Sequence, residues 1–347
     1  MRPRPSVGII SDSPLQRHHL QAALTAYGLK PAVNCDPGRF STLADELKES
    51  ISCWVLELEN EDAWQDFIDD LVETSEAPIL FGLGTAPQRH SEEYPRWERR
   101  LFTKLSEEVG ILEMLDSEES LQALDSSLPH PPLPLPDIIQ KTRHKASTGA
   151  ESLERIWILA ASLGGPAAVK EFLDELPKGL PVSFIYAQHI DANFSSVLAR
   201  VLARHSTFSL KEAQVGDIPC YGEVLMVPVD REMVFGEQGD VQFKDTPWPG
   251  PYGPSIDQVM LNVANYFGDR CGVIVFSGMG NDGAIAAPLL KAYGCEVWVQ
   301  SSDSCANSSM PDSVEATGVA SYTGTPRQMA AHLVKEIERA ESRHSAN

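Results

Sequence analysis

Short apolar runs with the composition of β-strands alternate with longer stretches of helical periodicity through most of this chain. The run 7–10 precedes a helical period over 15–27, and the run 156–161 precedes one over 167–176. A strand, a helix and a second strand of the same sheet almost always form a right-handed parallel unit. The alternation therefore predicts an α/β protein built on parallel sheets.

Further strand-like runs extend the pattern on both sides of a proline-rich interval. In the front part they are 53–58, 79–83 and the short pair 101–102, and in the rear part they are 182–187, 223–227, 273–276 and 296–300. Residues 233–243 predict a β-hairpin that turns at 237–240.

Five prolines between positions 129 and 136 separate the two parts of the chain. A proline-rich stretch without an apolar period behaves as an extended, semi-rigid spacer. We therefore expect a front domain over 1–125 with a small parallel sheet, a linker over 126–152, and a second α/β domain over 153–340.

Charge and cysteine content exclude several classes of function. The chain carries 49 acidic and 28 basic residues, a formal charge of −21. Such a surface repels phosphate backbones, so nucleic acid is not expected as a partner. No apolar run reaches the roughly 18 residues that span a bilayer, so no membrane insertion is expected.

Six widely spaced cysteines without a C-x-x-C pair predict reduced thiols in a cytoplasmic protein.

A serine, a histidine and an aspartate each follow a strand-like run of the rear domain. Ser162 ends RIWILAAS, His189 ends PVSFIYAQH, and Asp282 lies in the glycine-rich loop after GVIVF. Ligands of open parallel sheets bind outside the carboxyl ends of the strands. Since serine becomes a useful nucleophile when an imidazole takes its proton, these residues predict a Ser–His–Asp hydrolase. Their order and the absence of G-x-S-x-G argue against the α/β-hydrolase elbow.

Each of the three residues also has a purely structural interpretation. Ser162 suits a helix cap before a tight turn, Asp282 suits a cap for a helix that begins nearby, and His189 suits a hydrogen-bonded sheet edge. The glycines after Ser162, Gly164 and Gly165, allow close approach of a substrate, and the helix start beyond them offers N–H groups to an oxyanion. Convergence of the three residue types on one edge favours catalysis.

The rear glycines also fit a different kind of site. Gly278, Gly280 and Gly283 spell G-x-G-x-x-G between a strand and a helix, and Asp303 follows about 20 residues later. This spacing is typical of a dinucleotide site with a ribose-binding acid. The motif comes late in the chain, however, and it assigns no role to the serine and the histidine. A dinucleotide-dependent enzyme is therefore the alternative, together with a non-catalytic adaptor.

Five short motifs follow one another along the rear domain: AASLGGP around Ser162, QHI around His189, PSID at 254–257, GMGNDG around Asp282, and SxxSC…MP at 301–311. In this order they resemble the catalytic domain of the chemotaxis response-regulator methylesterases. The resemblance covers about residues 153–335 and implies a doubly wound α/β methylesterase domain. It makes Ser162 the nucleophile, His189 the base and Asp282 the acid that orients the base.

The resemblance also implies the surroundings of the reaction. It places Gly164, Gly165, Met279 and Gly280 around the substrate, with the Met279 N–H near the oxyanion. Leu163 departs from the family, which commonly has threonine there, so a hydroxyl contact is lost.

The implied reaction is hydrolysis of γ-glutamyl methyl esters on methyl-accepting chemotaxis receptors. Deamidation of receptor glutamines needs only a different leaving group. No metal or organic cofactor is implied, and a chemosensory histidine kinase is an implied further partner.

The front domain is similar in layout to a phosphoacceptor receiver, which has a flavodoxin-like fold, but several of the residues that a receiver needs for phosphorylation are replaced. A receiver holds Mg²⁺ with an acidic pair after its first strand and takes phosphate on an aspartate after its third. Here the pair is Ser11 and Asp12, and the acceptor position is Glu57, with Glu59 as the alternative. Of the other switch groups only the lysine expected after a fifth strand, Lys104, survives. We expect a degenerate receiver that is not phosphorylated and in which Glu57 pairs permanently with Lys104.

Overall fold

The computed structural model describes residues 6–26, 29, 31–88, 91, 93–109, 121, 124, 131–142, 153, 155–249 and 253–346. The chain divides into two compact units, Met1–Leu115 and Asp116–Asn347. The second unit begins within the predicted front domain, 1–125, and contains the whole predicted linker, 126–152. Among the described residues, no helix is long and apolar enough to cross a membrane.

The first unit is built on a parallel sheet. Its strands are β1 (Val7–Ile10), β2 (Val33–Cys35), β3 (Cys53–Leu56) and β4 (Ile79–Leu80). Its helices are α1 (Pro14–Ala26), α2 (Pro37–Phe40), α3 (Asp45–Glu49), the 3-10 turn Glu61–Trp64, α4 (Gln65–Thr74) and α5 (Tyr94–Val109). The strand order is β2-β1-β3-β4 with every pair parallel. This order is consistent with the expected flavodoxin-like, receiver-like sheet.

Residues 101–102, predicted as a strand, lie inside α5. Trp97, Leu101 and Leu105 are buried at four-residue spacing, which places them on one face of this helix. The strand prediction is wrong because the helical period extends one turn to either side of the pair. Lys104 therefore lies on a helix and does not follow a fifth strand.

The second unit contains a larger parallel sheet. Its strands are β5 (Ile156–Ala161), β6 (Ser183–Gln188), β7 (Ser209–Glu212), β8 (Glu223–Met226), β9 (Met233–Phe235), β10 (Val241–Phe243), β11 (Cys271–Val275), β12 (Glu296–Gln300) and β13 (Tyr322–Gly324). Seven of them form a sheet of order β13-β12-β11-β5-β6-β8-β7, in which neighbours are parallel. β9 and β10 form the expected antiparallel hairpin.

Helices cover both faces of this sheet. They are α6 (Asp137–Thr142), α7 (Gly165–Glu175), α8 (Ala192–His205), α9 (Ile256–Phe267), α10 (Ala286–Ala292), α11 (Ser309–Glu315) and α12 (Pro326–Ala346), with 3-10 turns at Gly268–Arg270 and Ser302–Ser304. Alternate residues of β5 enter two cores: Trp157 packs in one with Phe172 of α7, and Ile158 packs in the other with Val259 of α9. Burial on both faces explains the continuous apolar runs of the strands. The doubly wound α/β prediction is confirmed.

Part of the predicted linker is described, and it lies along the second unit. Residues 131–136 are extended, the Leu133 N–H donates to the Glu175 carbonyl oxygen (2.8 Å), and α6 follows. Ile139 of α6 is buried in the same core as Phe172. The apolar residues placed among the prolines attach this segment to the sheet domain. The high proline content by itself does not predict this attachment.

Candidate active site

Three loops meet where β11, β5 and β6 end side by side. β5 is the middle strand and is followed at once by Ser162, β6 is followed by His189, and the loop after β11 holds Asp282. Ala161 and Gln188, the residues just before the serine and the histidine, are partners in the parallel register. The structure therefore brings the three predicted residues to one edge of the sheet.

Ser162 is held in a turn by three hydrogen bonds to its backbone N–H and carbonyl groups. Its N–H donates to the Ser277 carbonyl oxygen (3.1 Å). Its own carbonyl oxygen accepts from the Gly165 N–H (2.8 Å) and from Gln188 Nε2 (2.8 Å). The residue is 8% exposed, so it lies in a recess of the sheet edge. These contacts fix the serine between β5 and the start of α7.

Gly164 allows the chain to turn away after the serine. Its φ of +77° is in the left-handed region. A Cβ atom at this position would lie 2.4 Å from Ala306 Cβ and 2.8 Å from Ser277 Oγ. Both the backbone conformation and the space available therefore require glycine here.

His189 and Asp282 are hydrogen-bonded to each other. His189 Nε2 lies 3.0 Å from Asp282 Oδ2. The same Oδ2 accepts from the Ile256 N–H (2.8 Å), and Oδ1 accepts from the Asp257 N–H (2.9 Å), at the start of α9. Burial alone would raise the pKa of Asp282, but the bond and charge of His189 and the two N–H groups lower it below the ordinary value. The carboxylate is therefore ionised and can hold the imidazole in one orientation.

The loop after β11 passes directly against the serine. A Cβ atom at Gly278 would lie 2.9 Å from Ser162 Cβ and 2.6 Å from Met310 Cε, so a glycine is needed for this approach. The Gly278 N–H donates to the Asn307 carbonyl oxygen (2.9 Å), which anchors the loop. Met279 follows immediately, so its backbone lies one residue from the contact with the serine.

Two of the N–H groups expected around the substrate are already used inside the protein. The Gly165 N–H donates to the Ser162 carbonyl oxygen, and the Gly280 N–H donates to Ser309 Oγ (3.0 Å). In the part of the chain that the structure describes, the Met279 N–H has no protein acceptor. Of these three N–H groups, the one of Met279 is therefore available to an oxyanion. Gly165 and Gly280 instead stabilise the conformation of the two loops.

Sequence reasoning missed the polar residues that tie these loops together. Ser277 Oγ donates to the Leu163 carbonyl oxygen (2.8 Å) and accepts from the Asn307 N–H (3.0 Å). Ser309 Oγ accepts from Gly280 and donates to Asn307 Oδ1 (2.8 Å). Ser309 falls inside the SxxSC…MP interval, but its partner is distant in the chain, and one sequence does not reveal that pairing.

In the first unit, the predicted receiver residues lie at the carboxyl ends of β1 and β3. Asp12 Oδ1 accepts from the Glu59 N–H (2.9 Å). The carboxyl of Glu57 accepts a backbone hydrogen bond from Gly84. Burial raises the pKa of Glu57, and the neighbouring Glu61 carboxylate raises it further, so this side chain has an increased tendency to be neutral.

Lys104 does not form the expected ion pair with Glu57. Its Nζ donates to the Phe81 carbonyl oxygen, and the lysine charge lowers the pKa of Glu57 by less than burial and Glu61 raise it. Across the described ranges, no group of three or more His, Cys, Asp or Glu side chains is arranged to hold a metal ion.

Comparison with known proteins identifies the second unit. The model of the CheB methylesterase family matches residues 157–333. The protein-glutamate methylesterase/protein-glutamine glutaminase 1 of Saccharophagus degradans is 34% identical over 188 residues, which is 54% of this chain and 52% of the relative. The corresponding protein of Colwellia psychrerythraea is 31% identical over 189 residues, which is 53% of this chain and 50% of the relative. The chain thus spans about half the length of the curated relatives it matches.

A solved structure agrees with the sequence comparisons. The CheB methylesterase catalytic domain of Thermotoga maritima superposes with a TM-score of 0.50 at 27% identity, and covers 52% of this chain and 97% of that domain. The family match includes Ser162, His189 and Asp282 and extends over half of the chain. The chain belongs to the CheB methylesterase family.

Proposed function

We propose that this protein is a serine hydrolase that removes methyl esters from the γ-carboxyl groups of glutamates on methyl-accepting chemotaxis receptors. The observation that carries the proposal is the hydrogen bond of His189 to the buried, ionised Asp282, at the sheet edge where Ser162 ends the middle strand. The relatives named protein-glutamate methylesterase/protein-glutamine glutaminase support this choice of ester. These glutamates lie on cytoplasmic receptor helices, so the proposed place of action is the cytoplasm.

In the first half-reaction, Ser162 Oγ attacks the ester carbonyl carbon and its proton passes to His189. Because Nε2 is the nitrogen that contacts Asp282, Nδ1 is the nitrogen that takes this proton. The proton then moves to the departing methoxide, and methanol leaves. The product is a glutamyl ester of the serine.

In the second half-reaction, His189 deprotonates a water molecule that attacks this ester. The serine oxygen takes the proton back, and the receptor glutamate is released as a free carboxylate. In both halves the Asp282 carboxylate stabilises the imidazolium and fixes its ring.

The tetrahedral oxyanion of both steps is assigned to the Met279 N–H. This group follows Gly278, whose backbone lies against Ser162, and it donates to no acceptor among the described residues. A backbone donor that is fixed before the reaction lowers the barrier because it needs no reorganisation.

The same site supports deamidation of receptor glutamines. The acyl-enzyme is identical, and the leaving group is ammonia instead of methanol. His189 must then protonate a more basic nitrogen, which is the general-acid role that a triad histidine plays for an amide.

The first unit is proposed to be a degenerate receiver that is not phosphorylated. At the position where a histidine kinase would transfer phosphate, Glu57 has a side chain one methylene longer than that of aspartate, and its carboxyl has an increased tendency to be neutral. Ser11 and the Asp12–Glu59 contact leave an incomplete oxygen set for Mg²⁺. The unit would then regulate by docking to a partner rather than by accepting phosphate.

A dinucleotide site is less well supported. The N–H groups of Gly278 and Gly280 donate to Asn307 and Ser309, so these two are not offered to a pyrophosphate. Asp282, inside the same glycine motif, is engaged by His189. A pure adaptor would not require this polar arrangement at the sheet edge.

Methanol release from a methylated receptor fragment tests the proposal. The full chain should release methanol, and Ser162→Ala should abolish the release. Ser342→Ala, which removes an exposed hydroxyl on α12, is the matched control and should leave the rate unchanged. Equal rates for Ser162→Ala and the full chain would overturn the assignment of the nucleophile, and no release by folded full chain would overturn this substrate.

A further inference from the structure

Asp257 connects the start of α9 to the loop that carries the catalytic aspartate. Its N–H donates to Asp282 Oδ1 (2.9 Å), and its own Oδ1 accepts from the Ala286 N–H (2.7 Å) at the start of α10. A further backbone contact comes from Gly283. Asp257 therefore holds the Asp282 carboxylate through its backbone N–H, and it holds the chain just after Asp282 through its side chain.

The carboxyl of Asp257 also interacts with the carboxyl of Asp282, whose Oδ2 contacts His189. Within the described residues, no lysine, arginine or histidine nitrogen lies within 4.0 Å of the Asp257 carboxylate to form an ion pair. Asp282 is the charged group that acts on it, and the N–H groups of Ala286 and Gly283 are the groups that favour its ionised form. Two adjacent carboxyls without a cation between them share protons unequally.

Of the two carboxyls, Asp257 binds a proton more readily than Asp282. Burial raises the pKa of Asp257 to about 6, helped by the negative charge of Asp282 and opposed by the two N–H groups. Asp282 keeps a lowered pKa because His189 and two backbone N–H groups stabilise its charge against burial. Asp257 therefore changes charge in the mildly acidic range, while Asp282 stays ionised.

We propose that Asp257 is a positioning residue of this esterase site, which holds Asp282 against His189 and, when it ionises, adds a second negative charge behind the imidazole. The inference rests on the proposed serine hydrolase function. When Asp257 is protonated, its O–H can donate to Asp282 and competes with His189 for that carboxylate. When Asp257 is ionised, the competition ends and the imidazolium of the transition state gains a further stabilising charge.

Reaction of the full chain with a fluorophosphonate tests this without a receptor substrate. Ser162 Oγ forms a bond to phosphorus, fluoride leaves, and His189 takes the serine proton, so the labelling rate reports the same activation. Labelling of wild type, Asp257→Asn, Asp257→Glu and Asp269→Asn would be followed by intact mass from pH 5 to pH 8.5. Asp269, exposed at the other end of β11, is the charge-matched control.

The ratio of the Asp257→Asn rate to the wild-type rate should be near one at pH 5 and fall to roughly one-fifth at pH 8. Its midpoint should lie near the Asp257 pKa of about 6. Asp257→Glu, which can still ionise, should restore a pH-independent ratio, and Asp269→Asn should give a ratio near one throughout. A ratio for Asp257→Asn that does not change between pH 5 and pH 8.5, whether high or low, would show that the charge of Asp257 has no effect on the activation of Ser162 and would overturn the proposal.

A second readout separates this inference from the proposed function. The downfield NMR signal of the Nε2 proton between His189 and Asp282 should shift with a midpoint near pH 6 in wild type, following Asp257, and this shift should be absent in Asp257→Asn. Failure of every protein to label Ser162 would overturn the hydrolase while this NMR shift still supported the coupling. Labelling with no such shift in wild type would leave the hydrolase standing and overturn the role of Asp257.

Discussion

His189 and Asp282 lie 93 residues apart in the chain, yet His189 Nε2 and Asp282 Oδ2 are 3.0 Å apart in the fold. The strand order explains the meeting, because β6 and β11 are the two neighbours of β5. The histidine and the aspartate thus come from opposite sides of the strand that ends in Ser162. Chain order Ser, His, Asp becomes spatial order His, Ser, Asp along the sheet, with the histidine and aspartate side chains reaching each other across the end of the middle strand.

Asp282→Asn should lower the rate of methanol release by about a thousandfold or more, since the amide neither stabilises an imidazolium nor fixes the required tautomer. The folded-state pKa of Asp282 is below its ordinary value of 3.8, so the wild-type carboxylate stays ionised through neutral and mildly acidic pH. Loss of wild-type activity near pH 6 would therefore report a different group. Rates of Asp282→Asn and the exposed control Asp269→Asn, measured side by side, check this. A loss of less than tenfold would show that Asp282 is a cap and not part of the reaction.

The sheet edge and its three reactive residues could be predicted from the sequence because each follows a buried apolar strand. Parallel strands bring their carboxyl ends to one edge, so residues at strand ends become neighbours even when they are distant in the chain. Ser162 after β5 and His189 after β6 needed no further information than this rule. The roles proposed for the three residues come from the motif resemblance.

Hydrogen-bond partners between loops could not be predicted in the same way. Gly165 and Gly280 resemble substrate-facing glycines, but their N–H groups are satisfied by Ser162 and Ser309 inside the protein. A single sequence shows which loops contain polar residues and not which of them pair. The placement of Lys104 after a fifth strand is wrong for another reason. The short apolar pair 101–102 predicts a strand, but the apolar residues around it recur every four residues and form a helix.

Gly164→Ala should lower the free energy of unfolding by about 2 kcal/mol or more and also reduce the rate of methanol release. The backbone at this position has a positive φ, which strains any residue with a side chain, and the new Cβ would collide with Ala306 and Ser277. Gly216→Ala is the matched control: its φ is +86°, but a Cβ there meets nothing within 4 Å. The control should show the backbone strain alone, about 1 kcal/mol, with activity retained. Urea unfolding and methanol release for both variants measure the difference. Equal effects of the two substitutions on both quantities would show that crowding at Ser277 and Ala306 is unimportant.

Ser309→Ala should leave the buried Gly280 N–H without its acceptor, at a cost of about 1 to 3 kcal/mol in the free energy of unfolding. The loop that carries Met279 would lose an anchor, so methanol release should fall by about tenfold, mainly in kcat. Ser342→Ala removes an exposed hydroxyl that only contacts its own helix and should change neither quantity. Kinetics and urea melts of the pair provide the measurement. A stability loss with unchanged kcat would mean that the Ser309 contact supports the fold but not the oxyanion loop.

Glu57→Gln should stabilise the first unit at neutral pH and not at acidic pH. Burial raises the folded-state pKa of Glu57 above its ordinary value of 4.5, so the folded chain holds this proton more tightly than the unfolded chain. Wild-type stability therefore falls as pH rises from the ordinary value through the folded pKa, and stays lower above it. A neutral amide does not titrate, so its advantage over wild type should grow across the same interval.

Hydrogen exchange of peptides from β1 and β3 in graded urea reports the stability of the first unit separately from the second. Wild type and Glu57→Gln would be compared with each other at pH 4 and at pH 7.5, and Glu49→Gln, an exposed position on α3, is the matched control. Incubation of the full chain with acetyl phosphate and Mg²⁺ in parallel should add no phosphate mass to wild type. A stabilisation of equal size at both pH values would contradict a raised Glu57 pKa, and a stable phosphate adduct on Glu57 or Glu59 would contradict the degenerate receiver.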